Sequence, residues 1–196
     1  MKKFELISEF VTNVFGKKLF RIKALVSFGD VSAGELGGFV EKEENLSNNG
    51  NAWVSGNARV SGDARVSGDA LVSGNAQVSD NAWVSGNAWV SGDALVSGNA
   101  QVSDNARVSG NAQVSGDADF SVVTGFGRCF RATTFFRCKD KILRVQCGCF
   151  YGDLAKFREI VKKTHGDSKY AKEYIAIADL MELHFSDEEE NQEADK

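Results

Sequence analysis

Ala recurs at every sixth position from Ala52 to Ala118. Val fills the slot two residues later from Val54 to Val114, until Phe120 takes it, and Ser follows that slot each time from Ser55 to Ser121. Twelve consecutive hexapeptides of the form Asn/Asp-Ala-x-Val-Ser-Gly/Asp thus run from Asn51 to Phe120. Fixed self-similarity marks a repeat architecture, in which each unit buries its apolar face only by stacking on its neighbours. A period of six fits neither an amphipathic helix nor an ordinary sheet strand. Within a unit, Ala and Val point inward and x points outward, as strand alternation requires. The following Gly, Asn or Asp tolerates the positive φ of a tight turn. Three short strands and three turns close a triangular coil, so the twelve units make four coils, about 19 Å tall at about 4.8 Å per layer. Small Ala and Val side chains suit a narrow interior.

Reading every eighteenth residue stacks the corners in three columns: Asn51, Asp69, Asn87, Asn105; Asn57, Asn75, Asp93, Asn111; and Asp63, Asn81, Asn99, Asp117. No Asp lies directly above another. Stacked amides form side-chain ladders, whereas adjacent carboxylates repel. The converging carboxylates that calcium needs are missing. The outward positions give three faces: Trp53, Leu71, Trp89, Arg107; then Arg59, Gln77, Leu95, Gln113; then Arg65, Trp83, Gln101, Asp119. All three Trp are expected to face outward, and the Trp53–Leu71–Trp89 stripe is an apolar patch that wants cover. That cover comes either from the chain's own flanks or from a subunit or target. Trp53, Leu71, Trp83 and Trp89 are therefore the interface candidates. The run resembles the left-handed parallel β-helix of the hexapeptide-repeat family, where an aliphatic residue at every sixth position fills the core. Left-handedness is what this resemblance implies, since parallel crossovers in general are right-handed.

The fold class expected is mainly β: a hexapeptide-repeat solenoid with an N-terminal β unit and a C-terminal cap of strands and two helices. Residues 1–33 read as the β unit, with alternation over Phe4-Glu5-Leu6-Ile7 and Leu19-Phe20-Arg21-Ile22 and a turn at Gly16-Lys17-Lys18. The β-helix is assigned to 34–120, beginning with an irregular coil that keeps Val40, Leu46 and Ala52 six apart. Solenoid ends need capping, because they present unpaired strand edges. Residues 121–150 form the β cap, which bulky Phe120 begins. Two helices fill 151–186, the first N-capped by Asp153 and stopped by His165-Gly166-Asp167. Residues 187–196 hold six acids and one Lys, an acidic tail expected to be disordered.

The net charge of −4 names no partner class. No apolar run spans a membrane and no signal peptide is evident, so membrane partners are not expected. Four cysteines with no secretion signal point to free thiols in a reducing cytoplasm. Cys129, Cys138, Cys147 and Cys149 match a structural zinc site in number but lack C-x2-C spacing, so buried thiols are preferred and no cofactor is expected. The two histidines, His165 and His184, both lie outside the repeat. His165 is the one candidate general base, and a helix-end cap is its plainer role. Basic and aromatic residues interleave in 126–144. Arg128, Phe130, Arg131, Phe135, Arg137, Lys139 and Arg144 are the ligand-binding candidates, because Arg forks grip phosphates and aromatics stack on bases. Plain strand alternation accounts for the same pattern, with aromatics in the cap core and basic groups in water. Residues 121–186 carry twelve basic and seven acidic side chains, whereas 51–120 carry three Arg and seven Asp.

The segment Phe28-Gly29-Asp30-Val31-Ser32-Ala33-Gly34-Glu35-Leu36-Gly37-Gly38-Phe39 precedes the repeat. Arg137-Cys138, Cys147-Gly148-Cys149-Phe150 and Thr164-His165-Gly166-Asp167 follow it. This arrangement resembles hexapeptide-repeat proteins of phages and prophages, commonly labelled transferases or polymer-forming proteins. The resemblance implies a non-enzymatic binding or scaffold protein in the bacterial host cytoplasm. Its role would be to sequester a nucleotide-like anionic ligand or to inhibit a host defence protein. The alternatives are self-assembly as a homo-oligomer or polymer, and acyl transfer with His165 as base. Enzymes of the hexapeptide family generally use a catalytic His and a projecting loop, and this repeat contains neither.

Overall fold

Eleven two-residue strands stack into three parallel faces in a computed structural model that describes residues 2–116, 119–138 and 140–186. Asp117, Ala118, Lys139 and the acidic tail 187–196 lie outside the described residues. The first face joins β4 (Trp53–Val54), β7 (Leu71–Val72), β10 (Trp89–Val90) and β13 (Arg107–Val108). The second joins β5 (Arg59–Val60), β8 (Gln77–Val78), β11 (Leu95–Val96) and β14 (Gln113–Val114). The third joins β6 (Arg65–Val66), β9 (Trp83–Val84) and β12 (Gln101–Val102). Register is fixed at eighteen residues: Trp53 pairs with Leu71, Arg59 with Gln77, and Arg65 with Trp83. Trp53 N–H donates to Ala70 C=O at 2.9 Å and Ser55 N–H to Val72 C=O at 2.8 Å, a pattern repeated down the stack. Every repeat Ala from Ala52 to Ala112 and every Val from Val54 to Val114 is buried in one continuous core.

The corners behave as the columns require. Asp80 and Asp104 take φ of 60° and 58° where other hexads place Gly, because a short polar side chain tolerates the left-handed region. Side-chain ladders form: Asn51 Nδ2 donates to Asp69 at 2.8 Å, Asn75 Nδ2 to Asp93 at 3.1 Å, and Asn81 Nδ2 to Asn99 at 3.2 Å.

At the N-terminal end, β1 (Phe4–Thr12), β2 (Lys18–Ala24) and β3 (Leu36–Val40) pair antiparallel, and β3 then pairs parallel with β5. The hairpin thereby extends the second face into a seven-stranded sheet. The first regular coil turns carbonyls upward that no coil above can satisfy. Phe39 N–H fills Ala58 C=O, Glu41 N–H fills Val60 C=O and Ser47 N–H fills Val66 C=O. Side chains take other carbonyls. Asn45 Nδ2 donates to Gly62 C=O at 3.1 Å and Ala64 C=O at 2.8 Å. Lys3 Nζ donates to Gly50 C=O at 3.2 Å and Ala52 C=O at 2.8 Å, with its charge over the Phe28 ring.

The other end is closed by an antiparallel sheet of β15 (Phe120–Val123), β16 (Thr133–Arg137), β17 (Leu143–Cys147) and β18 (Phe150–Asp153). Strand alternation gives β16 two cores to serve. Phe136, with Cys138 just beyond the strand, packs onto the last coil, where Thr134 Oγ1 accepts the Arg107 N–H at 3.1 Å. Phe135 faces a second core under α1 (Leu154–His165) and α2 (Lys169–His184). Asp153 caps α1 by accepting the Lys156 N–H at 2.8 Å, and Ser168 caps α2.

Two measurements test the N-terminal cap. Asn45→Ala leaves the buried Ala64 carbonyl and the part-buried Gly62 carbonyl without this donor and should cost about 2 kcal/mol in chemical denaturation, whereas a loss of a few tenths would mean water replaces the amide. Burial pushes the Lys3 ammonium from 10.5 down to about 8, against an opposing pull from Asp69. The folded protein therefore loses this proton before the unfolded chain does. Charged Lys3 weakens the fold fully below pH 8, and that penalty is relieved as pH rises toward 10.5. Relative to Lys3→Met, the wild type should gain about 1–2 kcal/mol across that window, water around the ammonium screening part of the full effect. A constant difference would show that the ammonium is not desolvated.

Candidate functional site

The outward rows determine what the solenoid shows to solvent. Trp83 is 48% and Trp89 41% exposed, on different faces. Each indole is held by the coil before it: Trp83 Nε1 donates to Ser67 Oγ at 2.9 Å and Trp89 Nε1 to Ser73 Oγ at 3.0 Å. The Arg107 guanidinium lies 5.5 Å from the Trp89 ring centre. Trp53 corrects the expectation of an outward Trp stripe, because only 2% of it is exposed. Phe28 meets it edge-on at 5.5 Å, and Gly37 of the N-terminal flank packs against it. A Cβ on Gly37 would come within 2.7 Å of the Trp53 ring, so only glycine lets the flank close. Trp53 Nε1 is consequently buried with no hydrogen-bond partner. Leu71, one coil below, is half-buried. The chain's own N-terminal segment thus covers the Trp53 end of this stripe.

The basic-aromatic set divides in the same way. Phe135 is fully buried beneath the helices, which removes it from the ligand-binding candidates. Arg144 is gripped by Asp140 through two bonds of 2.7 and 2.6 Å, and this pairing holds the Asp140 carboxyl down at about 2. Arg137 donates to Phe185 C=O at 2.9 Å, lies 3.9 Å from Asp119 and stacks on the Phe185 ring. Strand position explains both: β16 and β17 carry Arg137 and Arg144 into the folded body. Arg128, Phe130 and Arg131 instead lie on the exposed loop between β15 and β16. Neither Arg128 nor Arg131 has an ion-pair or hydrogen-bond partner among the described residues. Phe130 is 70% exposed with φ of 51°. For a bulky residue that backbone is an outlier costing about 1–3 kcal/mol, the kind of strain that gathers at functional sites.

This loop and the last coils frame a groove of about 840 Å³. Arg107, Asn87 and Asn105 line it from the solenoid, and Phe130, Arg131 and Thr124 from the cap. No carboxylate lines it among the described residues. The Asn87 and Asn105 amides lie at the cap end of the first corner column, and both residues are exposed. Arg107 is read from the sequence only as an outward residue. Its role as a groove wall depends on where the cap docks, which the hexad pattern does not encode.

His165 closes α1, and the Gly166 N–H beyond it bonds back to Lys162 C=O at 2.9 Å. Its ring stacks on Tyr174 at 5.9 Å rather than facing the repeat. The four cysteines separate, and the expectation of buried thiols holds for Cys138 alone: Cys129 and Cys149 are exposed and Cys147 is half-buried. Cys138 faces the solenoid core, Cys149 lines the groove, and Cys129 and Cys147 line a second cavity beside Tyr174. Burial pushes the Cys138 thiol up. Burial, with the Cys147 and Cys129 thiols nearby, pushes the Tyr174 hydroxyl up to about 12. Among the described residues no three His, Cys, Asp or Glu side chains converge as a metal site. No described helix is long and apolar enough to cross a membrane.

Four stretches of the chain, residues 52–66, 64–79, 76–92 and 100–116, match the family model described as YdcK beta solenoid repeat. This chain is a β-solenoid repeat protein. The matched stretches supply the Asn87, Asn105 and Arg107 side of the groove, and the cap side lies outside them. No curated protein matches the sequence.

The Trp environments are separable by fluorescence. In a Trp83→Phe, Trp89→Phe double variant, the remaining Trp53 should emit at short wavelength and resist acrylamide. The Trp53→Phe variant should emit red-shifted and quench readily. Equal quenching of both would show that Phe28 and Gly37 do not seal the stripe.

Proposed function

We propose that this solenoid is a binding scaffold whose ligand is a nucleotide-like anion, held in the groove where the repeat meets its cap. The observation that carries this reading is the groove's chemistry: two guanidinium forks, two exposed corner amides and an exposed phenyl ring, with no lining carboxylate among the described residues. Arg pairs with phosphate oxygens through two parallel bonds, and an aromatic face accepts a base. Asn amides supply further donors and acceptors without net charge. The volume of about 840 Å³ lies within the usual span of small-molecule sites, roughly 300–1,000 Å³. The solenoid's contribution is rigidity. Arg107 rides on a strand tied by backbone bonds to the coil above and by Thr134 to the cap below. A preorganised fork loses less freedom on binding than a flexible one.

Titration of the full chain with ADP, followed by Trp89 fluorescence and calorimetry, tests the reading. ADP should bind at one site per chain, adenosine at least tenfold more weakly, and affinity should fall as salt rises. Arg107→Glu and Arg131→Glu should each weaken ADP at least tenfold, about 1.4 kcal/mol, while leaving the melting temperature unchanged. Equal affinity for adenosine and ADP, or indifference to both charge reversals, overturns the assignment.

A further inference from the structure

A second cavity, of about 210 Å³, lies between the cap sheet and the two helices, on the far side of the sheet from the solenoid. Its walls are Phe150 from β18, Phe157, Ile160 and Val161 from α1, and Tyr174 from α2. The aromatic walls contact one another: Phe150 and Phe157 at 5.5 Å, Phe157 and Tyr174 at 5.8 Å. Arg128 and Arg131 of the exposed loop, with Cys129, Cys147, Thr164 and His165, complete the lining, and no carboxylate joins them among the described residues. Glu173, which α2 directs to the same loop, is already engaged by the Gly127 N–H at 2.9 Å and by Lys169 at 3.5 Å.

We infer that this cavity is a binding site for a small aromatic carboxylate, with its ring among Phe150, Phe157 and Tyr174 and its carboxylate on Arg128 and Arg131. Size supports the class. An apolar cavity of roughly 150 Å³ takes up a benzene ring, and this one is larger by about the room a carboxymethyl group needs. A nucleotide does not fit that volume, so the site differs in occupant from the groove. Charge decides the head group. The C-terminal end of α1 brings about half a negative charge, which two guanidinium groups outweigh. The arrangement repels an amine and gives a neutral alcohol only hydrogen bonds. A carboxylate gains charge-assisted bidentate contacts with Arg. Phe157 and Tyr174 are packed in the helical core, so the ring pocket is formed before a ligand arrives.

Phenylacetate is the probe, with 2-phenylethanol and phenethylamine as the neutral and cationic counterparts, titrated into the full chain. Calorimetry should show one phenylacetate per chain, the alcohol at least tenfold weaker and the amine weaker still. Backbone amide shifts should cluster on residues 157–165 and around Tyr174. Arg128, which lines this cavity and not the groove, gives the separating variant: Arg128→Ala should weaken phenylacetate at least fivefold and leave ADP binding unchanged. Ile160→Trp, at a partly exposed position, should fill the cavity and abolish phenylacetate binding with the circular dichroism spectrum and melting temperature retained. Arg107→Glu should leave phenylacetate affinity as it is. The inference is overturned by any of four results: no saturable binding, alcohol binding as tightly as acid, shifts located elsewhere, or full affinity in Ile160→Trp. A loss of ADP binding alone sinks the groove assignment without touching this one.

Discussion

The eighteen-residue register is the constraint on which everything else rests. Each coil donates its N–H groups to the carbonyls of the next, so Val stacks on Val and Ala on Ala around one narrow interior. A single inserted residue would turn the following inward positions outward, and twelve hexads without an insertion keep that from happening. The same register denies the interior any function. It is filled by methyl-bearing side chains, with no polar group among the inward positions. Whatever chemistry the molecule performs must therefore lie on its faces or at its ends.

The ends are where the backbone leaves unsatisfied groups, and the chain treats them asymmetrically. Upward carbonyls at the first coil meet nitrogen donors, from Lys3, Asn45 and the amides of β3 and its flanks. A downward N–H at the last coil meets the Thr134 hydroxyl, and Ala112 bridges to Cys138. Desolvating Lys3 is costly, and its two carbonyl contacts and the Phe28 ring offset part of that cost. Edges closed at both ends also bear on assembly. End-to-end growth would have to displace Lys3 and Asn45 at one end and the β15–β18 sheet at the other, exchanging satisfied bonds for equivalent ones.

The repeat was legible because each of its rules is local. Period six, inward Ala and Val, left-handed corners and stacked amides all follow from a unit that meets only copies of itself. Helix caps at Asp153 and the stop before Gly166 were legible for the same reason. Contacts between unlike segments were not. Trp53 carries the same outward position as Trp89, yet Phe28 and Gly37 bury one and leave the other exposed, and no periodicity distinguishes them. Phe135 and Phe136 look alike in a basic-aromatic run, but β16 lies between two cores and sends one ring to each. Arg137 and Arg144 carry the same charge as Arg128 and Arg131, and only the fold shows which guanidinium groups the protein spends on itself.

The charge asymmetry of the sequence acquires a location in the structure. The repeat is acidic and the cap basic, so their seam is where the sign of the surface changes. The first corner column runs Asn51, Asp69, Asn87, Asn105, and its members nearest the cap are amides rather than carboxylates. A carboxylate at either of those two corners would lie along the groove lined by Arg107 and Arg131 and compete with any incoming anion. Structural ladders do not demand this choice, because Asn51 donates to Asp69 with good geometry one layer above. The choice of Asn at 87 and 105 therefore does more than hold a corner: it keeps carboxylates off the stretch of the seam where Arg107 and Arg131 line the groove.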